Sequence, residues 1–237
     1  MRYLSPDSGE SGQWNSTDCR PGSVGWLVPR FDLFERFTRI FHPVVDLQGE
    51  RTRWASLTQR AHTPWRSDIQ LSELSLVEGN ASPLPNGMGS TCLQELVALT
   101  GLLGAECSYG LWDGASWVSH DNIDDANAVG IKEQSWLTAP MISGRLDRQY
   151  RFFSGRINDL PNFGTYGRFF IERQPTVMWC QTGPICLMSD PDYDSSILAS
   201  SDHIHKTLIR KAAELEVTEV FPWTSLLDRH PEGSATN

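Results

Sequence analysis

The chain has 237 residues, 39% hydrophobic and 10% aromatic, with nine Trp and a formal net charge of −9. So many large apolar rings exclude a chain that is disordered throughout, and no apolar run approaches the roughly 18 residues that cross a bilayer. The excess of acid speaks against a nucleic-acid binder, whose phosphate contacts need clustered cations.

Residues 1–25 are rich in Ser, Gly, Asp and Pro and predict a disordered or loosely held arm without the apolar stretch of a secretory signal. A single domain is expected over residues 26–223, followed by a tail over 224–237. Within it, residues 34–45 (FERFTRIFHPVV) predict a strand ending near Pro43, and residues 52–61 a short helix with Trp54, Leu57 and Ala61 on one face. Residues 79–90 have loop composition. Thr91 and Gln94 form a T-x-x-Q capping box that opens a helix carrying Leu93, Leu96, Val97 and Leu103, and Gly101 and Gly104 mark its end.

In residues 107–118 (CSYGLWDGASWV), Asp113-Gly114 between apolar flanks predicts a hairpin turn, with Trp112 and Trp117 paired across it. Residues 119–145 predict a long loop with at most one short element. Strands are expected at residues 149–154, 168–172, 177–180 and 185–189. Ser201-Asp202 caps a last helix whose stripe is Ile204, Leu208, Ala212 and Leu215, and residues 217–221 add an edge strand. Strands and helices mix without βαβ alternation. The expected class is therefore α+β, a mainly antiparallel mixed sheet with two principal helices packed on it.

Charge is segregated. Residues 67–131 hold nine acids (Asp68, Glu73, Glu78, Glu95, Glu106, Asp113, Asp121, Asp124 and Asp125) and no Lys or Arg, which accounts for the whole net charge. Two readings follow: acids and Arg pairing across one sheet, or an acidic face that steers a basic partner. Under the second, Trp112, Asp113, Trp117, Asp121, Asp124 and Asp125 would form the binding surface, because Trp anchors interface hot spots.

The five cysteines are odd in number and show no C-x2-C spacing. This predicts reduced thiols, a cytoplasmic location, no disulfide framework and no zinc site, although Cys180 and Cys186 could bridge. The best acidic constellation is Asp190, Asp192 and Asp194 after an apolar strand. Alternating carboxylates could hold a hard cation, but an EF-hand needs Gly and Glu where Ser195 and Ser201 stand. The D-x-D strand end also resembles the first motif of haloacid-dehalogenase-like phosphatases, which would make Asp190 the nucleophile and Asp192 the general acid. His120 beside Asp121 could serve as a base; without such chemistry, the three Asp form a turn leading into a helix. His203 and His205 point to different helix faces and cannot share a metal. No G-x-S-x-G or nucleotide-binding Gly loop occurs, and no cofactor is expected.

The stretches FTRIFHP (residues 37–43), Arg53-Trp54, CSYGLWDGASW (107–117), YRFFSG (150–155), PTVMW (175–179) and DPDYDSSILAS (190–200) occur in an order that resembles a family of uncharacterised actinobacterial proteins. In that family an R-x-F-H-P stretch precedes a Trp-rich hairpin, a P-x-x-x-W segment, an acidic strand end and a final helix. The resemblance spans much of residues 31–221 and implies no activity, since none is established for the family. The leading expectation is a non-enzymatic binding protein presenting acid to a basic protein partner, in the manner of an immunity protein or antitoxin. The alternative is a metal-dependent hydrolase or phosphatase built on Asp190, Asp192 and Asp194.

Overall fold

The apolar runs around Phe37, Phe153, Trp179 and Leu187 all become strands of one sheet, and the alternation of side chains along them decides where the helices sit. The computed structural model describes residues 2–6, 19–45, 51–78, 82–83, 87–113, 129–144, 148–166, 170–172, 174–180, 182–189 and 194–226. Nine strands form the sheet: β1 (Ser5–Pro6), β2 (Arg36–Phe41), β3 (Glu106–Trp112), β4 (Met141–Ser143), β5 (Gln149–Arg156), β6 (Val177–Cys180), β7 (Ile185–Met188), β8 (Ser195–Ser200) and β9 (Glu216–Val220). Their order is β9-β2-β8-β7-β6-β3-β5-β1, with β4 beside β1 along β5, and every pairing is antiparallel. The helices are α1 (Val24–Leu27), α2 (Trp54–Arg60), α3 (Leu71–Glu78), α4 (Gly89–Thr100), α5 (Glu133–Thr138) and α6 (Asp202–Lys211). The expected α+β class, with a mainly antiparallel sheet, is what forms.

Successive side chains of a strand point to opposite faces. Ile40, Leu198, Leu187 and Met178 share one face and meet Leu93, Leu96 and Val97 of α4 and Ile204 and Leu208 of α6. Phe37, Ile197, Cys186, Trp179 and Phe152 share the other and meet Val24 and Leu27 of α1, Phe34 and Leu226. Because both faces are covered, β6 and β7 are buried at every residue, which is why they read as unbroken apolar runs. A third cluster packs Phe41 and Val44 against Trp54 and Leu57 of α2 and Leu71 and Leu74 of α3.

Several expectations need correction. Helix α4 starts at Gly89 with Met88 as N-cap, and no side-chain cap bond forms there. Instead the Met88 amide donates to Gln174 Oε1 at 3.0 Å, so a distant side chain replaces the capping box. Gly101 closes the helix at φ 69°, a left-handed position that favours Gly. Leu103 lies past that end and is exposed. The presumed arm is tied down in part: β1 pairs with β5, Arg2–Tyr3 pairs in parallel with Val129–Gly130, and Ser23 bridges Ser225. The folded unit therefore reaches beyond residues 26–223 on both sides. Within residues 119–145, α5, β4 and the Val129–Gly130 strand are three ordered elements. Strand β3 ends at Trp112 and its neighbours are β5 and β6, while the expected return strand with Trp117 lies outside the described residues.

The cysteine expectation is overturned as well. Cys107 and Cys180 stand directly opposite each other on β3 and β6, 4.2 Å apart at Cα, and form a disulfide; Cys186 is free and buried. Sequence separation of 73 residues hides this pair, whereas antiparallel register brings the two sulfurs together. A thiol titration of denatured, unreduced protein is expected to find three thiols, rising to all five after reduction. Reduction should also lower the unfolding free energy by about 2–4 kcal/mol in urea melts.

Candidate functional site

The alternation that packs the core also gathers polar side chains at one end of the sheet. His42 follows β2, Ser189 follows β7, Ser196 lies in β8 and Gln174 precedes β6, all with the parity of the face under α4. Ser196 Oγ is 2.7 Å from His42 Nε2 and 2.8 Å from Ser189 Oγ, and it accepts from Gln174 Nε2 at 3.1 Å. Gly87, at φ 81°, lies so close to Gln174 that a Cβ would come within 2.6 Å of its amide carbon. A hydroxyl at this distance from an imidazole has the geometry of a nucleophile and its base. The environment rules otherwise. Ser196 is fully buried, His42 is 3% exposed, and burial together with the Arg39 charge holds His42 down to about 3, far below the pKa of a useful base near neutrality. The cluster satisfies buried polar groups, and no feature of the sequence set Ser196 apart.

On the opposite face, Arg39 is wholly buried in the middle of β2. Its Nε donates to Ser195 Oγ at 2.8 Å, its Nη1 to the carbonyls of Ser67 and Ile69 at 3.0 and 2.8 Å, and its Nη2 to Asp194 Oδ1 at 2.9 Å. The guanidinium also stacks on Phe41, 4.5 Å from its centroid. Asp194 Oδ2 accepts from the Leu71 amide at 2.9 Å. Both carboxylate oxygens are therefore committed to protein donors, leaving Asp194 poorly placed as a metal ligand. Asp190 and Asp192 lie outside the described residues, as does His120. Among the described residues, no group of three or more His, Cys, Asp or Glu is placed to hold a metal ion.

Most of the described acids of this segment have partners within the fold. Asp68 and Glu73 both accept from Arg66, at 3.1 and 2.6 Å, and Asp113 accepts from Arg151 Nε at 2.7 Å. Glu106 is opposite Arg156 in the β3–β5 register. Glu95 accepts from the amides of Ala213, Glu214 and Leu215, so an α4 carboxylate caps the turn into β9. Asp68 sits in the loop held by β2, and Asp113 directly follows β3, four strands away; those two strands are about 19 Å apart. Trp112 lies under the Arg148 guanidinium, 4.6 Å from centroid to carbon. Trp117, Asp121, Asp124 and Asp125 lie outside the described residues. For Asp68, Glu73 and Asp113 the reading of carboxylates and Arg paired within the fold is the one the geometry follows, and Asp113 lies apart from the Asp68–Glu73 pair.

A second His network lies beneath α6. His205 Nδ1 is 2.8 Å from Thr38 Oγ1, and its Nε2 is 3.7 Å from Glu219. His203 points outward, as the two-residue spacing requires. Compared with protein-family models, curated proteins and solved structures, the chain finds no match in any of the three.

Two measurements probe these networks. Arg39→Ala leaves Asp194, Ser195 and two carbonyls without their donor, and is expected to cost about 3–5 kcal/mol in urea unfolding. Arg39→Met combined with Asp194→Leu should recover part of that loss. His42 has its folded pKa depressed, so only the unfolded chain takes up the proton between about 3 and 6.5. Its contribution is complete above pH 6.5 and falls away as the pH drops toward 3, about 2 kcal/mol being lost between pH 7 and pH 5. Burial lowers His205 too, with the same sign. In His42→Gln the acid-side slope of stability against pH should flatten.

Proposed function

We propose that this protein acts by binding and not by catalysis, and that its partner is a basic protein, as for an immunity protein or antitoxin. One contrast carries the reading: the groups with chemical potential (Arg39, His42, Gln174, Ser189, Ser195, Ser196) are buried and bonded to one another, while the chain as a whole carries a surplus of nine negative charges. Such a surplus steers a cationic partner and favours its fast, salt-sensitive association. Among the described residues, no helix is long and apolar enough to cross a membrane. The Cys107–Cys180 disulfide favours an oxidising compartment over the reducing cytoplasm.

Affinity capture from source-cell extract, repeated at low and high salt, tests this. The expected outcome is a strongly basic protein retained only at low salt and confirmed by titration of the purified pair. Acidic partners, salt-insensitive retention, or turnover of a phosphate ester with Mg²⁺ or Mn²⁺ would count against it.

A further inference from the structure

Strand β9 ends the sheet: it pairs with β2 on one side, and among the described residues no strand lies on its other side. Such an edge offers a row of backbone donors and acceptors. Immediately after it, Phe221 and Trp223 are 46% and 74% exposed, with their rings stacked 5.1 Å apart and 3° from parallel. The pair is held in place. The Phe221 amide donates to Thr224 Oγ1 and the Thr224 amide to the Phe221 carbonyl. The Gly25 and Val24 amides donate to the Pro222 and Thr224 carbonyls, so α1 clamps this turn. A Cβ on Gly25 would lie 3.2 Å from Pro222, which shows how closely the two backbones approach.

The charge at this edge is negative. Residues 212–226 contain Glu214, Glu216 and Glu219 and no Lys or Arg. Among the described residues, Glu216 accepts from backbone amides alone, those of Trp54 and Ala55. Glu219 shares the single Arg36 guanidinium with Asp202, which also meets Lys206. Arg53 reaches the same turn, where its Nη2 donates to the Ala213 carbonyl, and its charge offsets part of the acid there. Pairing with a second copy would line up the same carboxylates from both chains along one seam, a repulsive arrangement.

We infer that β9 is a docking edge for an extended, Lys- or Arg-bearing segment of a partner protein, which adds as a strand and lays a cationic side chain on the Trp223 face. Main-chain pairing supplies affinity in such strand addition, Glu214, Glu216 and Glu219 select against acidic strands, and an exposed indole is the best aromatic face for a cation. This rests on the basic-partner reading and adds the place and mode of contact.

The test uses the full chain and two ten-residue synthetic peptides, one alternating Lys with Val and Thr, the other with Glu at each Lys position. Calorimetry at low and high salt gives affinity, and amide hydrogen exchange gives location. The Lys peptide is expected to bind at low salt, to slow exchange in residues 217–220, and to lose about tenfold or more in affinity in Trp223→Ala, whose melting temperature stays unchanged; the Glu peptide is expected not to bind. Protection elsewhere, or affinity unmoved by Trp223→Ala, overturns the docking edge while leaving a basic partner in place. No binding of the Lys peptide overturns the docking edge, and failure to capture any basic protein from extract removes the wider reading as well. A concentration-dependent dimer abolished by Trp223→Ala overturns the inference in favour of self-pairing.

Discussion

The buried guanidinium of Arg39 is the constraint on which the rest of this structure depends. Burial lowers its pKa, while Asp194 opposes that shift through its charge and hydrogen bond. A cation taken from water is tolerated only when each donor finds a partner. Those partners come from two separate stretches: the loop at Ser67 and Ile69, and the head of β8 at Asp194 and Ser195, where Asp194 also accepts the amide of Leu71 at the start of α3. One side chain therefore ties the third apolar cluster to the sheet. It also supports the β2–β8 register, in which Ser196 lies opposite Ile40 with its hydroxyl beside His42.

That arrangement carries over to the other face. The Arg39 charge adds to burial in disfavouring a proton on His42. A neutral imidazole can bond Ser196 and still leave its backbone carbonyl to the Trp54 indole, 2.8 Å away. The His42 amide donates in turn to the Asp194 carbonyl at 2.9 Å. Interior charge, neutral histidine and cap residue form one linked set, so the polar groups that look most reactive on paper are those most tightly held.

Much of the architecture could be read from pattern, because burial leaves a period in the sequence. Residues 177–180 and 185–188 were continuous apolar runs and became central strands; residues 54–60 placed Trp54 and Leu57 on one face and became α2. Strand β8 was hidden. Its sequence SSILAS has four small residues, and following Asp190, Asp192 and Asp194 it read as a turn entering a helix. The serines are tolerated because Ser195 and Ser196 are bonded by Arg39 and His42, partners far away in sequence. The capping of α4 by Gln174 and the Cys107–Cys180 pair escaped notice for the same reason. Nor could charge segregation along the chain predict segregation in space: Arg66 and Arg151 flank the base-free segment and fold back onto its acids.

The edge at β9 shows how these parts bear on one another. An exposed Trp forgoes the burial that stabilises Trp54 and Trp179, and the stacked Phe221–Trp223 pair makes an apolar patch on the surface. Its backbone is fixed by α1 and Thr224, so the two rings are presented in one place. Glu95 fixes the other end of the strand by capping the turn before Glu216. An edge held rigid at both ends loses little conformational entropy when a further strand arrives. Its carboxylates disfavour pairing with its own kind, the usual hazard of an open edge, without disfavouring a strand that brings cations. Rigidity, apolar exposure and negative charge at one edge are together the combination that a selective, reversible contact with a basic segment requires.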